Sequence, residues 1–321
     1  MTGINATVRS AGSCGIKFAV CLATWLLAGI DGSYAGQQSQ EEGPHVREAR
    51  PGLETQDEER RRFEAVEKIR AEFKRTLAIL SAENGTNPTA IIGQISPRTR
   101  YQSRTSDQRV QEIGRINLPI SPDWLLRVDV PFTYLDPKDS NEQSVAGLGD
   151  IRARLGWRVL HKDDGSVFIG SEFYFPTASN SKLGNNHLEV GPAIVGSVQV
   201  PDLRSNAYLW LEYLTAVTGH LGGGFHGGLS TNDTSTSETR VRFRFNTVWS
   251  KTWWSFVESR LFVDWTQNGK TGSVLLFEGG RRLDSHWRLY LRPEVGLWGK
   301  DVPGAFDYGV ELGVRYMFYV F

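Results

Sequence analysis

Cysteine is almost absent from this sequence. The 321 residues include only Cys14 and Cys21, and both lie within the first 35 residues. Downstream of them no thiol is available for a disulfide, a thiolate metal site or a cysteine nucleophile. A net charge of one sign is also absent, because 36 Lys and Arg balance 36 Asp and Glu. We therefore expect no nucleic-acid partner, since bulk electrostatic attraction to a polyanion is missing.

Long hydrophobic runs are equally scarce. The run FAVCLATWLLAGI at 18–30 follows Arg9 and Lys17 and precedes the small-x-small tripeptide at 33–35. This layout predicts a signal peptide over residues 1–35, cleaved on export, because the run is short for a bilayer-spanning helix. A retained membrane anchor is the alternative. Beyond this run no stretch approaches the roughly 18 apolar residues of a transmembrane helix, so any later membrane crossing must use strands.

A polar linker and a helix occupy residues 36–88. The linker is polar and broken by Gly and Pro, whereas apolar residues at alternating spacings of three and four predict an amphipathic helix at 55–83. Asn84 and Gly85 provide its C-terminal stop. The stripe is about two heptads long, so the helix either docks on its own protein or mediates self-association. The stripe comprises Phe63, Val66, Phe73, Leu77 and Leu80.

From residue 89 to 321 the sequence changes to short alternating segments separated by turn residues. Twelve candidate strands have about twice the length of strands in soluble sheets, which matches a tilted bilayer crossing. Short and generally longer connections alternate between them, as in an outer-membrane barrel whose chain ends face the periplasm. The candidates are 89–101, 108–119, 124–135, 148–160, 166–176, 187–199, 206–217, 238–249, 254–265, 272–282, 287–298 and 307–320.

The segment RVRFRFNTVW at 240–249 shows how each strand sorts its side chains. Arginine alternates with Val and Phe, and successive side chains of a strand point to opposite faces. A soluble barrel would bury the apolar face. The export signal, the strand length and aromatic residues near both strand ends instead favour lipid on the apolar side. We therefore predict an all-β fold, an antiparallel transmembrane β-barrel of about twelve strands with an N-terminal periplasmic amphipathic helix, in the outer-membrane lipid of a Gram-negative cell.

Charged residues of both signs are predicted to face the lumen. Twelve strands lie between a barrel filled by side chains and one with a wide channel, so the pore is expected to be narrow. One hypothesis is a channel for passive uptake of small solutes, with aromatic or anionic compounds as candidates. The alternative is a plugged structural or adhesive barrel whose loops bind a partner. The predicted pore-lining residues are Arg127, Asp129, Arg152, Arg154, Arg158, Glu172, Arg240, Arg242, Arg244, Glu258, Arg260, Asp264, Arg288, Arg292, Glu294, Glu311 and Arg315.

Other chemistry is sparse. His220 and His226 lie six residues apart in a glycine-rich loop, a weak metal signal, and Ser230 follows in the same loop. A His-Ser pair makes an outer-membrane lipid hydrolase the second alternative, although the surrounding residues do not support it. We expect no cofactor, no bound metal and no enzymatic activity.

The middle of the barrel region resembles outer-membrane proteins of the "MetA-pathway of phenol degradation" family. The stretches GLGDIRARLGWRVL at 147–160, SVFIGSEFYFPTASNSKLGNN at 166–186 and HLEVGPAIVGSV at 187–198 carry the resemblance. Ala178 stands after Phe175-Pro176-Thr177 where the family pattern has Gly. The resemblance implies an outer-membrane, transporter-like barrel associated with aromatic compounds, and it supplies no site residues.

Overall fold

A computed structural model describes residues 53–139, 141–162, 164–217 and 236–320 of the chain. The predicted signal peptide and most of the predicted linker lie outside the described residues. The same holds for His220, His226 and Ser230.

The predicted helix is present as α1, Leu53–Glu83. It ends where the sequence indicated: the backbone N–H of Asn84 donates to the carbonyl oxygen of Leu80 at 3.0 Å, and Gly85 follows with a φ of +69°. A positive φ of this kind is accessible to glycine at little cost. Phe63 and Val66 of the apolar stripe are 67% and 59% exposed. No helix in the described part of the chain is both long and apolar enough to cross a membrane.

Thirteen strands follow α1, and neighbours along the sheet pair antiparallel. They are β1 (Gly93–Ser103), β2 (Asp107–Pro119), β3 (Trp124–Pro137), β4 (Val145–Leu148), β5 (Ile151–Lys162), β6 (Gly165–Phe175), β7 (Glu189–Val200), β8 (Ser205–Ala216), β9 (Ser237–Val248), β10 (Trp253–Asp264), β11 (Lys270–Arg282), β12 (Trp287–Trp298) and β13 (Tyr308–Phe318).

The sheet closes into a barrel of twelve strands, as predicted. Strands β4 and β5 both pair with β3, so they form one barrel strand that is interrupted at Gly149 and Asp150. Strand β1 lies between β13 and β2, and β2 pairs in turn with β3. Closure leaves no unpaired sheet edge, which a strand in lipid could not tolerate.

The barrel begins later than the sequence indicated. The first strand starts at Gly93 rather than at residue 89, because residues 84–92 turn into the barrel interior. Asn84, Thr86 and Thr89 are 3%, 1% and 2% exposed. The apolar residues near position 90 therefore precede the first strand, and Ile91 packs against the inner wall.

Outward and inward faces are sorted as the alternation predicted. Outward side chains such as Phe132, Leu291 and Leu312 are at least half exposed, whereas inward charged side chains are buried or half-buried. This is the inverse of a soluble protein and suits a barrel with lipid outside. Short turns join strands at one end, which we call the short-turn end. The opposite, long-loop end carries the loops at 176–188 and 299–307, and there β3 and β8 end and β4 and β9 begin.

Aromatic side chains gather at both ends of the strands. Trp124 and Trp157 stack with ring centroids 5.9 Å apart at the short-turn end. Tyr101 and Tyr308 lie 6.2 Å apart at the long-loop end. Amphipathic rings are favoured at the two membrane interfaces, where one edge is apolar and the other wet.

Candidate functional site

A central cavity of about 330 Å³ occupies the lumen, and arginine dominates its wall. The carboxylates Asp107, Asp129, Glu172, Glu212, Glu238, Glu258, Glu278, Glu294 and Glu311 pair with these arginines, and Asp150 also lines the wall. Fourteen lining arginines thus stand against ten carboxylates that line the wall or pair with a lining arginine, so this set of residues carries four more positive than negative charges. The fourteen are Arg98, Arg100, Arg104, Arg109, Arg115, Arg127, Arg152, Arg154, Arg240, Arg242, Arg244, Arg260, Arg292 and Arg315.

Most of the residues that the sequence assigned to a pore lie on this wall. Asp129 and Glu294 do not line the cavity but are buried as partners of lining arginines. The residues found on the wall are Arg127, Arg152, Arg154, Glu172, Arg240, Arg242, Arg244, Glu258, Arg260, Arg292, Glu311 and Arg315.

Three of the assigned residues lie at strand ends, away from the wall. Arg158 donates to the carbonyl oxygen of Pro122 at 2.8 Å, at the short-turn end. Arg288 is fully buried and donates to the carbonyl oxygen of Asp284, which lies in the short turn before β12. Asp264 accepts from the backbone N–H of Thr266 at 2.9 Å and caps a turn at the long-loop end. Near a strand end, a side chain on the inward face can bond to the adjacent turn instead of pointing to the centre of the cavity.

One part of the wall is neutralised by Glu278. Its Oε2 accepts from Arg292 at 2.6 Å and from Arg315 at 2.8 Å, and its Oε1 accepts from the indole N–H of Trp254 at 3.1 Å. All four side chains are buried. Because each charge has a hydrogen-bonded partner of opposite sign, this cluster can remain ionised inside the barrel.

A second part of the wall is built around Trp210. The guanidinium carbons of Arg154 and Arg242 lie 4.0 and 5.0 Å from its ring centroid. Arg154 also pairs with Glu172, and Arg242 with Glu212. Stacking on a ring holds a guanidinium flat without occupying all of its donors.

Arg104 and Arg127 differ from the other lining arginines. Neither has a carboxylate within ion-pair distance among the described residues, and Arg127 donates only to the amide oxygen of Asn117, at 2.8 Å. Arg127 lies directly opposite Arg154 in the β3–β5 pairing. The positive excess is therefore concentrated on the wall formed by β1, β2 and β3.

Residues 84–92 cross the lumen at the short-turn end, and we call them the crossing segment. Arg315 Nη1 donates to the carbonyl oxygen of Asn84 at 3.1 Å, and Arg244 Nη1 donates to that of Thr86 at 2.8 Å. The hydroxyl of Ser166 donates to Thr89 at 2.6 Å. Luminal arginines are thus partly used to hold the chain's own backbone.

The crossing segment ends against an apolar part of the inner wall. Ile91 packs there on four buried side chains, Leu125, Phe168, Val195 and Trp210. Full burial of an aliphatic side chain contributes about 1.5–3 kcal/mol relative to exposure, and the half-buried Ile91 contributes less than that.

The loop 299–307 folds inward at the long-loop end. Val302, Ala305 and Phe306 are 2%, 2% and 1% exposed and pack against inward side chains of β10 and β11, namely Phe262, Val274 and Leu276. At Gly296 a Cβ atom would lie 1.8 Å from the carbonyl oxygen of Phe306. Glycine on β12 therefore permits the close approach of the loop, and the cavity is narrowed at both ends.

Asp150, at the interruption between β4 and β5, anchors a second loop. Its carboxylate accepts from the backbone N–H groups of Ala178 at 3.1 Å and Asn185 at 2.6 Å. A Cβ at Gly184 would lie 2.4 Å from Asp150 Oδ1. The Gly-Leu-Gly-Asp stretch noted in the sequence thus fastens the loop 176–188 to the barrel rim. Within the described ranges, no group of three or more His, Cys, Asp or Glu is placed to bind a metal.

Comparison with known proteins yields structural similarity alone. No family model matches the chain, and no curated protein matches it either. The resemblance to the phenol-degradation family therefore stays a prediction. The chain is similar to the crystal structure of an outer-membrane channel from Pseudomonas putida F1, with a TM-score of 0.54 and 9% identity over 71% of this chain and 95% of that one.

Two porins are also similar. The NanC porin gives a TM-score of 0.48 and 11% identity over 69% of this chain and 98% of that one. The KdgM porin, solved in complex with disordered oligogalacturonate, gives 0.47 and 11% over 70% and 99%. Together with the closed twelve-stranded sheet and the apolar outer face, the similarity to the Pseudomonas channel shows that this chain has the fold of an outer-membrane β-barrel.

Proposed function

We propose that this protein is an outer-membrane channel that admits small anionic solutes by passive diffusion. The observation that carries the proposal is the excess of four arginines on the cavity wall over the carboxylates that line it or pair with the lining arginines. A positively lined, low-dielectric passage concentrates anions and repels cations. Arg104 and Arg127 contribute most directly, because no described carboxylate neutralises them. The role of the lining residues is electrostatic attraction, not catalysis.

The dimensions of the cavity support small solutes. A volume of about 330 Å³ lies at the lower end of the range of ligand pockets in proteins. The family resemblance adds aromatic compounds as a solute class, while the arginine wall supports the anionic character. We propose an outer-membrane location with the short turns and α1 on the periplasmic side, which agrees with the predicted export signal and with the loop lengths.

A plugged structural or adhesive barrel is the competing proposal, and one observation favours it. The crossing segment and the loop 299–307 occupy the two ends of the lumen. In that case the arginines would serve only to satisfy the buried carboxylates and the backbone carbonyls.

Purified protein in a planar bilayer separates the two proposals. Under a salt gradient, we expect a steady current whose reversal potential shows anion preference. Arg127→Glu should reduce that preference because it reverses an unneutralised luminal charge. The control is Arg281→Gln, since Arg281 lies on the outer face against Trp253 at 5.3 Å. Absence of current under all conditions would support the plugged barrel, and cation preference of the unaltered protein would overturn the anion channel.

A further inference from the structure

Four basic side chains come together where the cavity meets the long-loop end. Arg100 and Arg109 project inward from β1 and β2, Arg104 lies in the turn between these strands, and Lys138 follows β3. Lys138 Nζ donates to the hydroxyl of Ser103 at 3.2 Å and to the carbonyl oxygen of Arg104. The turn is thereby held against the barrel rim.

The carboxylates of this region pair with basic side chains other than Arg104. Glu294 accepts from Arg100 at 2.8 Å, and Asp307 pairs with Lys300 at 2.9 Å and lies 3.8 Å from Lys138. Asp107 lies 3.8 Å from Arg109, which is an ion-pair distance but too long for a hydrogen bond. Arg104 pairs with none of them.

Two guanidinium nitrogens in this region are buried without a hydrogen-bond acceptor. They are Nε of Arg104 and Nε of Arg109, within the part of the chain that the structure describes. Burial and the repulsion of Arg109 lower the pKa of Arg104 to about 10, so its guanidinium stays charged at neutral pH. A buried donor without an acceptor costs about 1–3 kcal/mol, and more when the group is charged.

An apolar surface lies beside Arg100 and lines the same cavity as Arg104 and Arg109. Phe262 and Gly304 line the same cavity, and the ring of Phe306 lies 5.7 Å from the guanidinium carbon of Arg100. Phe262 and Phe306 belong to the apolar cluster formed with the infolded loop. A ligand at this place would therefore meet guanidinium donors on one side and hydrocarbon on the other.

We propose that Arg104 and Arg109 form a binding site for the carboxylate of a small organic acid whose apolar body rests against Phe262 and Gly304. The carboxylate oxygens supply the acceptors that the two Nε–H groups lack, in the forked geometry that arginine offers to carboxylates. This binding site lies at the long-loop mouth of the channel proposed above. Its physiological role therefore rests on that proposed function. Its binding chemistry can be tested without any current.

Calorimetric titration of the purified full-length protein in lipid nanodiscs tests the site. Benzoate supplies the carboxylate and the apolar body, benzamide is its neutral counterpart, and inorganic phosphate is an anion without an apolar body. We expect benzoate to bind more tightly than either of the others. We expect Arg104→Gln and Arg109→Gln each to weaken benzoate binding about tenfold or more, as the loss of a charge-assisted hydrogen bond implies.

Two further variants serve as controls. Arg104→Lys keeps the positive charge but loses the forked set of guanidinium donors. Its benzoate affinity should therefore lie between those of the wild type and Arg104→Gln. Arg158→Gln removes a charge at the short-turn end, where Arg158 contacts Asp123 and Pro122, and should leave the affinity unchanged. Heat-dependent migration on an SDS gel verifies that each variant is a folded barrel.

The proposed site would be overturned if benzamide or phosphate bound as tightly as benzoate, or if both glutamine variants bound benzoate like the wild type. Failure of the channel is a separate result. If benzoate binding depends on Arg104 but the protein carries no current in a bilayer, the binding site is supported and the channel function is wrong. If the current is anion-selective but benzoate binding does not depend on Arg104, the channel function is supported and the binding site is wrong.

Discussion

Arg315 donates a hydrogen bond from Nη1 to the carbonyl oxygen of Asn84 at 3.1 Å. The contact joins the last strand of the barrel to the residue that follows α1. Arg315 is 4% exposed and Asn84 3% exposed, so the bond is shielded from competing solvent. A guanidinium that also pairs with Glu278 thus anchors the start of the crossing segment.

Removal of the crossing segment should open the lumen. We expect a chain lacking residues 36–92 to show a larger single-channel conductance in a planar bilayer than the unaltered protein, because the crossing segment spans the short-turn end. The matched control lacks residues 36–79, which removes most of α1 and keeps the contacts of Asn84, Thr86 and Thr89. Equal conductance in all three proteins would show that the segment does not restrict flow.

Truncation of Glu278 should destabilise the barrel strongly. Glu278→Ala leaves the buried guanidinium groups of Arg292 and Arg315 without this partner and removes an acceptor from Trp254. Breaking a buried pair by removing one partner costs about 3–5 kcal/mol. The measurement is the free energy of unfolding in denaturant, with the barrel reconstituted in lipid.

Glu278→Gln is the control for this effect. It keeps an acceptor for Trp254 and a polar group of similar size, so we expect a smaller loss of stability than for alanine. Equal losses for both variants would mean that packing, and not the charge network, carries the contribution of Glu278.

A methyl group added at Gly296 should displace the loop 299–307 from the inner wall. Gly296→Ala places a Cβ 1.8 Å from the carbonyl oxygen of Phe306, so the loop 299–307 must move away from the wall. We expect faster cleavage of this loop by proteinase K added to intact cells. Gly279→Ala on β11 is the control, because no atom lies within 4 Å of its added Cβ. Unchanged cleavage of the Gly296 variant would show that the loop tolerates the shift.

The sequence predicted the barrel well because solvation imposes a simple rule on every strand. Arg240, Arg242 and Arg244 face inward and Phe243 faces outward on β9, since a charge in lipid is costly and a two-residue period separates the faces. Strand number and most boundaries follow from that rule together with turn residues. The interruption at Asp150 left the number of barrel strands unchanged.

The contents of the lumen were less predictable. Residues 89–92 were assigned to the first strand, yet Ile91 packs on the inner wall, because the sequence does not distinguish an apolar residue inside the barrel from one on a strand. Arg98, Arg100, Arg109 and Arg115 were not predicted to line the lumen, although their two-residue spacing within β1 and β2 places them on the inward face. Nothing in GKDVPGAF distinguishes an infolded loop from an exposed one, since the contacts that bury Phe306 come from β10 and β11.

A charge placed on the outer face should reveal the depth of the membrane. Leu291 is 51% exposed near the middle of β12, and Leu297 is 48% exposed near the long-loop end. We expect Leu291→Arg to lower the free energy of unfolding in lipid by about 2–4 kcal/mol and Leu297→Arg by about 0–1 kcal/mol, because the cost of a lipid-facing arginine falls toward the interface. Because these expected losses apply only to a residue that faces lipid, the free energy of unfolding of both variants must be measured in the same bilayer. Equal and small losses for the two variants would place the outer face in water, and the proposed membrane location would be wrong.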